Sequence, residues 1–107
     1  MTNKEIIEEQ NAKMITEIWE HYGKELQIKQ AIEELSELIT ALAWGNKEDI
    51  TEEIGDVEIM IAQLKGGLNI NTAEVIQYKL KRQMRRIIEE ADGRNPNESK
   101  TKTHEEK

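Results

Sequence analysis

The chain has no cysteine and no phenylalanine, a single proline (Pro96) and two histidines (His21 and His104). Without cysteine it can form neither a disulfide framework nor a thiol nucleophile nor a cysteine-based zinc site. The same absence fits a reducing environment, and we expect a cytoplasmic protein.

Long apolar runs are also missing, since no segment approaches the roughly 20 residues that span a bilayer. The first residues, MTNKEIIEEQN, are polar and acidic, unlike a signal peptide. Acids outnumber bases 22 to 15, and the net charge is −7, whereas proteins that wrap nucleic acid are usually basic. We therefore expect no membrane partner and no nucleic-acid polymer. An acidic protein that binds a polyanion needs a mediator, for which divalent cations are suited.

The apolar residues of this chain recur at helical spacing, with no convincing alternating stretch. The pattern predicts helices over 3–22 and 24–44, a third that carries apolar residues from Ile50 to Leu64, and a fourth that ends near Ala91. Four such helices joined by short loops predict an all-α, antiparallel four-helix bundle. We expect one helical domain, residues 1–91, followed by a disordered polar tail, residues 92–107.

Some apolar residues lie off the main helical stripes. The stripe that helical spacing predicts to be buried in the second helix consists of Ile28, Ala31, Ile32, Leu35, Leu38, Ile39 and Leu42, and that of the third of Ile50, Ile54, Val57, Ile61 and Leu64. Leu26 and Trp44 are about opposite the stripe of the second helix, and Ile59 lies off the stripe of the third. Such residues are either scattered exposure or a second buried surface. We favour the second interpretation, which predicts a homodimer or a homotetramer.

Acidic residues stand inside two of the most apolar segments. Glu34 and Glu37 are three residues apart, as are Glu53 and Asp56, so each pair projects from neighbouring points of one helix. If the two helices are neighbours, four carboxylates meet and raise one another's pKa. A hard divalent cation relieves this repulsion. The all-oxygen set favours Mg²⁺, with Mn²⁺ as a substitute, over zinc.

A solvated helix face is the alternative interpretation of these acids, because the same spacing recurs elsewhere in the chain. Gly55 favours the metal interpretation, since a glycine inside a helix costs about 1 kcal/mol relative to alanine. Its bare backbone would admit a ligand, although it would equally admit a neighbouring helix.

The combination of motifs resembles a known family. Glu-x-x-Glu, fifteen residues and Glu-x-x-Asp is similar to the signature of the MazG-like all-α nucleoside triphosphate pyrophosphohydrolases. AIEELSEL and EEIGDVEIM resemble the two acidic helices of that family, although Glu58 replaces a usual apolar residue. A basic segment, YKLKRQMRRI, follows as expected. The resemblance covers about residues 20–90.

The resemblance implies a magnesium-dependent enzyme that cleaves a nucleoside triphosphate between the α and β phosphates. The products would be the monophosphate and pyrophosphate. It also implies dimers, or tetramers built from dimers. Glu34, Glu37, Glu53 and Asp56 would be the metal ligands, and one of them, or Glu33, would orient the attacking water.

The resemblance also indicates residues that contact the substrate. Lys79 and Arg82, helped by Arg86, would hold the pyrophosphate portion, with a solvated basic face as the alternative. Trp44 falls where some deoxycytidine-triphosphate-type relatives place a tryptophan near the base, with a core or interface role as the alternative. Gln27 would contact a base or ribose edge, or else lie at the surface.

Two other functions stay open at this point. One is a non-catalytic helical bundle that binds a protein partner. The other is a phosphoribosyl-ATP pyrophosphohydrolase, for which the chain shows no dedicated feature. The leading hypothesis is an enzyme of nucleotide-pool house-cleaning that acts on NTPs or dNTPs.

Overall fold

A computed structural model describes residues 1–93 of the chain. Four helices fill this part of the protein: α1 (Asn3–Tyr22), α2 (Lys24–Trp44), α3 (Lys47–Gly67) and α4 (Ala73–Ala91). No strand occurs in the described residues, so the prediction of an all-α protein with four helices is confirmed. The antiparallel arrangement of all four helices and the oligomer stay predictions. Apart from residues 92 and 93, the predicted polar tail lies outside the described residues.

The chain divides into two units, one of residues 1–70 and one that begins at residue 71. The first unit contains α1, α2 and α3, and the second contains α4. None of the described helices is both long enough and apolar enough to cross a membrane.

A loop of only two residues, Gly45 and Asn46, joins α2 to α3. Gly45 has a φ of +79°, a left-handed conformation that favours glycine, and its N–H donates to the Ala41 carbonyl at 3.0 Å. The Asn46 side-chain oxygen then accepts from the N–H groups of Glu48 and Asp49, which caps α3. Because the loop is so short, the two helices pack as a hairpin.

Small and polar side chains fill the contact between α2 and α3. The buried hydrophobic residues of the described chain are few, namely Ala31, Ala41, Val57 and Met60. Near the end of the hairpin that lies away from the loop, Gln27 Nε2 donates to Gln63 Oε1 at 2.8 Å. Both glutamines are buried, and a buried amide is stable only when such a partner satisfies it.

The apolar stripe predicted for α2 is mostly exposed. Only Ala31 of this stripe is buried, because α2 meets α3 through the neighbouring side of the helix, where Gln27 and Ala41 lie. Ile54 and Ile61 of α3 are exposed as well. We call these exposed side chains the outer apolar face of the hairpin: Ile32, Leu35, Ile39, Leu42, Ile54 and Ile61.

Helix α1 packs against the end of α3 at a glycine. A Cβ atom added at Gly67 would overlap the indole ring of Trp19, whereas a Cβ at Gly66 would meet nothing within 4 Å. Gly67 therefore lets Trp19 lie directly on the α3 backbone. This contact connects α1 to the hairpin that carries the acidic segments.

Helix α4, in the second unit, is strongly amphipathic. Ile76, Leu80, Met84 and Ile87 lie along one side, and no residue of the helix is buried. The Arg82 guanidinium lies over the Tyr78 ring, 5.6 Å from its centroid, which is a cation–π contact one turn apart.

The close contact at Gly67 predicts opposite effects for two adjacent substitutions. Gly67→Ala should displace Trp19 and lower the free energy of unfolding by about 1–3 kcal/mol, the usual effect of overpacking. Gly66→Ala, the matched control, should raise it by about 0.5–1 kcal/mol because alanine favours the helix. Urea unfolding followed by tryptophan emission measures both values. Equal effects of the two substitutions would contradict the Trp19 contact.

The outer apolar face predicts self-association of the 12.4 kDa chain. Ile39 is 68% exposed at the middle of this face, so Ile39→Lys should reduce an oligomer to single chains by placing a charge in a buried interface. Ile39→Leu, an apolar control at the same position, should preserve the oligomer. Light scattering gives the mass, with circular dichroism to verify helix content. A wild-type mass of one chain would refute the oligomer.

Candidate metal centre

Three carboxylates from the two helices of the hairpin lie together. Glu34 and Glu37 of α2 and Glu53 of α3 each offer an oxygen, and these three oxygens lie within 4.8 Å of one another. Asp56 is near enough for its charge to act on both Glu34 and Glu53. The hairpin thus brings together the acids of the two apolar segments. We call Glu34, Glu37, Glu53 and Asp56 the acidic cluster.

Two oxygens of this cluster are buried without a partner. Glu34 and Glu53 are half-buried, and the Oε2 atom of each is buried with no hydrogen-bond partner among residues 1–93. The other oxygen of Glu34, Oε1, accepts from Gln30 Nε2 at 2.8 Å. A buried acceptor that lacks a donor loses its hydration without compensation. A cation at the cluster would compensate these oxygens while the carboxylates are ionised, whereas in its absence a proton shared between Glu34 and Asp56, or between Glu53 and Glu37, would do so.

The surroundings also raise the pKa of both half-buried acids. Burial raises the pKa of Glu34 above its ordinary value, the charges of Glu37 and Asp56 raise it further, and the hydrogen bond from Gln30 opposes them. Burial likewise raises the pKa of Glu53, followed by the charges of Glu37, Asp56 and Glu34. The full negative charge of the cluster is therefore disfavoured unless positive charge is added.

The chemistry of the donors fits a hard divalent cation. All candidate ligands are carboxylates, the oxygen donors that Mg²⁺ prefers, and Mg²⁺ commonly leaves further positions to water and phosphate. In the described part of the chain, the group of close ligand atoms includes no histidine and no cysteine. Exposed acids often cluster without any metal, so the two buried oxygens carry this inference and the clustering alone does not.

An open cavity of about 350 Å³ adjoins the acidic cluster. Glu37 and Glu53 form one part of its wall, and Trp44, which is 84% exposed, forms another. Its described lining consists of Ser36, Glu37, Thr40, Ala41, Trp44, Asp49 and Glu53. The structure therefore places Trp44 beside the acids, as a contact with a base would require.

Asp49 also lines this cavity, although it belongs to neither of the two acidic motifs. Asp49 belongs to an acid pair that a solvated face explains equally well. It stands four residues before Glu53, however, and residues four apart share one face of a helix. That spacing is the signal that could have identified it.

Other predicted site residues lie elsewhere. Glu33 is exposed, is not one of the three close carboxylates, and lines a separate cavity with Gln30 and Tyr22. Gln27 is buried and donates to Gln63, so its predicted surface alternative is wrong. A contact between Gln27 and a substrate stays a prediction.

The predicted cations belong to α4, in the second unit. Lys79 is exposed, and Arg82 and Arg86 are half-buried. Their role toward a phosphate stays a prediction. Gly55, inside the acidic segment of α3, makes no close contact with another helix in the described part of the chain, because a Cβ added there would meet nothing within 4 Å.

Comparison of the chain with protein-family models, with curated proteins and with solved structures found no match in any of the three. The resemblance to the MazG-like family therefore rests on the motifs themselves, and what it implies stays a proposal.

The raised pKa values predict how stability depends on pH and on metal. A carboxyl whose pKa is higher in the folded state stabilises the fold below its unfolded pKa, about 4.3 for glutamate. That stability is lost as the pH rises through the folded pKa. In EDTA, Glu53→Gln should therefore gain thermal stability relative to wild type as the pH increases from 4 to 8. Mg²⁺ should raise the melting temperature of wild type more than that of Glu53→Gln.

Thermal unfolding by circular dichroism measures these differences. Glu52→Gln is the matched control, because Glu52 is the exposed neighbour of Glu53 and lies outside the acidic cluster. An equal response of Glu52→Gln and Glu53→Gln to Mg²⁺ would contradict a metal site at the cluster.

Proposed function

We propose that the protein is a divalent-cation-dependent nucleoside triphosphate pyrophosphohydrolase. It would convert an NTP or dNTP and water to the monophosphate and pyrophosphate. The observation that carries this proposal is the pair of unpartnered buried oxygens, Glu34 Oε2 and Glu53 Oε2, contributed by two different helices. The motif resemblance supports the same reaction, and the adjoining cavity provides space for the nucleoside.

Glu34, Glu37, Glu53 and Asp56 would hold Mg²⁺, with Mn²⁺ as a substitute. When bound, such a cation supplies charge neutralisation for the polyphosphate and Lewis acidity at its oxygens. The hydrogen bond from Gln30 to Glu34 Oε1 fixes the orientation of this carboxyl group. Gln30 is therefore a positioning residue for Glu34.

The reaction needs alignment and charge compensation more than covalent chemistry. An oxygen of water forms a new bond to phosphorus, the anhydride between the α and β phosphates breaks, and pyrophosphate leaves. A carboxylate of the cluster orients the water and accepts its proton. No serine, cysteine or histidine nucleophile is required.

Cationic side chains and a second copy of the chain complete the proposal. Lys79, Arg82 and Arg86 would bind the pyrophosphate portion, Arg with two parallel hydrogen bonds and Lys as a point charge. The exposed Trp44 ring would stack on the base. The enzyme would work as a homodimer or homotetramer in the cytoplasm, which the absence of cysteine supports.

The outer apolar face supports one alternative function. Exposed apolar patches mark interaction surfaces, so a non-catalytic bundle could bind another protein through Ile32, Leu35 and Ile39. Such a scaffold has no use for the acidic cluster. It would keep its function when Glu53 becomes Gln.

Turnover of nucleotides tests the enzyme directly. The wild-type chain should release pyrophosphate from at least one member of a panel of NTPs and dNTPs with Mg²⁺, and not with EDTA. Glu53→Gln should lose about 100-fold or more in rate, since charge stabilisation dominates such reactions. Glu52→Gln should keep the wild-type rate. Release of orthophosphate instead of pyrophosphate would contradict cleavage between the α and β phosphates.

A further inference from the structure

Most of the polar side chains that line the cavity beside the acidic cluster can only accept hydrogen bonds from a ligand. Glu37, Glu53 and Asp49 contribute carboxylates, which only accept hydrogen bonds when ionised. Ser36 Oγ donates its hydrogen to the Ile32 carbonyl at 3.1 Å, and Thr40 Oγ1 donates to the Ser36 carbonyl at 3.2 Å. Each hydroxyl has one hydrogen, so both now have only lone pairs to offer a ligand.

Three backbone N–H groups at the loop end of the cavity already donate within the protein. The Gly45 N–H donates to the Ala41 carbonyl, and those of Glu48 and Asp49 donate to Asn46 Oδ1. A helix N-terminus usually attracts anions through such groups. Here the asparagine cap and two acids in the first turn remove that attraction. A phosphate is therefore disfavoured at this end, and an uncharged, donor-bearing group is favoured.

The two ends of the cavity consequently suit two parts of one nucleotide. Glu37 and Glu53, which belong to the acidic cluster, would face the cation-bound phosphates. Trp44 and Asp49 line the same cavity and would face the nucleoside. The Trp44 ring is 84% exposed, so its face is accessible to a planar ligand. The indole N–H, the one donor among the lining side chains, lies in the ring plane and not on the stacking face.

We propose that this cavity selects nucleobases that carry an exocyclic amino group, with Asp49 as the residue that determines specificity. The inference rests on the proposed function, because it places the triphosphate at the acidic cluster. The Asp49 carboxylate accepts a hydrogen bond from the amino group of cytosine, adenine or guanine, while Trp44 stacks on the ring.

The chemistry of the bases gives this selection its direction. Cytosine presents an amino donor where uracil and thymine present a keto oxygen, and adenine also presents an amino donor on the corresponding edge. Guanine carries its amino donor at a different ring position, and thymine and uracil have no amino group. A keto oxygen opposite a carboxylate joins two acceptors and leaves both unpaired. A site that offers hydrogen bonds to a particular group rejects the analogue that lacks it. Because the cavity is open to water, we expect discrimination of about tenfold, the low end of the range for such contacts.

Binding of uncharged nucleosides tests the inference without metal, phosphate or turnover, because a nucleoside is not repelled by the acidic cluster. Cytidine, adenosine, guanosine, uridine and thymidine are titrated in EDTA while tryptophan emission is recorded. Quenching should be stronger for cytidine, adenosine and guanosine than for uridine and thymidine, and no quenching by any of them would overturn the inference. Trp44→Phe should abolish it, since the other tryptophan, Trp19, lies at the contact between α1 and α3. Quenching that survives Trp44→Phe would overturn the proposed position of the base.

Asp49→Asn tests the specificity itself. The asparagine amide can donate to a keto oxygen, so the ratio of cytidine to uridine affinity should fall by about tenfold. Glu48→Gln is the matched control, because Glu48 is also an acid in the first turn of α3 but does not line the cavity. The inference is overturned by an unchanged ratio in Asp49→Asn, or by the same change in Glu48→Gln. An effect that separates ribonucleosides from deoxyribonucleosides and not one base from another also overturns it, since Asp49 would then contact the sugar.

Failure of this inference differs from failure of the proposed function. Pyrophosphate release with no effect of Asp49→Asn on base preference leaves the enzyme in place and refutes the role of Asp49. The opposite result is that quenching depends on the base and changes in Asp49→Asn, while no triphosphate releases pyrophosphate. This result supports the selective cavity and refutes the hydrolase.

Discussion

Mutual repulsion among carboxylates is the constraint on which the candidate site depends. The hairpin forces oxygens of Glu34, Glu37 and Glu53 to within 4.8 Å of one another and buries one oxygen of Glu34 and one of Glu53. Folding therefore opposes the ionisation of Glu34 and Glu53, and both pKa values are raised as a result. A structural role gives no reason to keep such an arrangement, whereas a role in cation binding does.

The same short loop that creates the repulsion also creates the cavity. Gly45 and Asn46 turn the chain within two residues, so the end of α2 and the start of α3 diverge from a common point. Small side chains such as Ala41 leave room between the two helices there, and Trp44 and Asp49 line the resulting space. The asparagine cap then removes the helix start as a phosphate site. The acidic cluster and the cavity are thus two consequences of one turn.

The sequence predicts the helices and the meeting of the acids well, because both depend on local rules. Glycines at 23 and 45 end α1 and α2 at the expected residues. Spacing of three residues places Glu34 beside Glu37, and a short loop places Glu53 opposite them. Which side of α2 meets α3 depends instead on side-chain volume across the contact. Periodicity alone therefore predicted burial for Ile39, which is exposed, while Gln27 is buried through a partner 36 residues away.

The shortage of buried apolar surface connects the site to assembly. Among the described residues no large side chain is fully buried, and the buried hydrophobic residues are mainly small. A domain of this size obtains most of its stability from apolar burial. Here that stabilisation is small, and the repulsion within the acidic cluster reduces it further. Binding that occurs only in the folded state adds stability by mass action. A cation at the cluster would stabilise the folded state by removing repulsion between carboxylates. A second copy of the chain at the outer apolar face would stabilise it by removing apolar surface from water. Folding, assembly and cation binding would then be linked equilibria, so that a change at Ile39 would also alter the apparent affinity of the cluster for Mg²⁺.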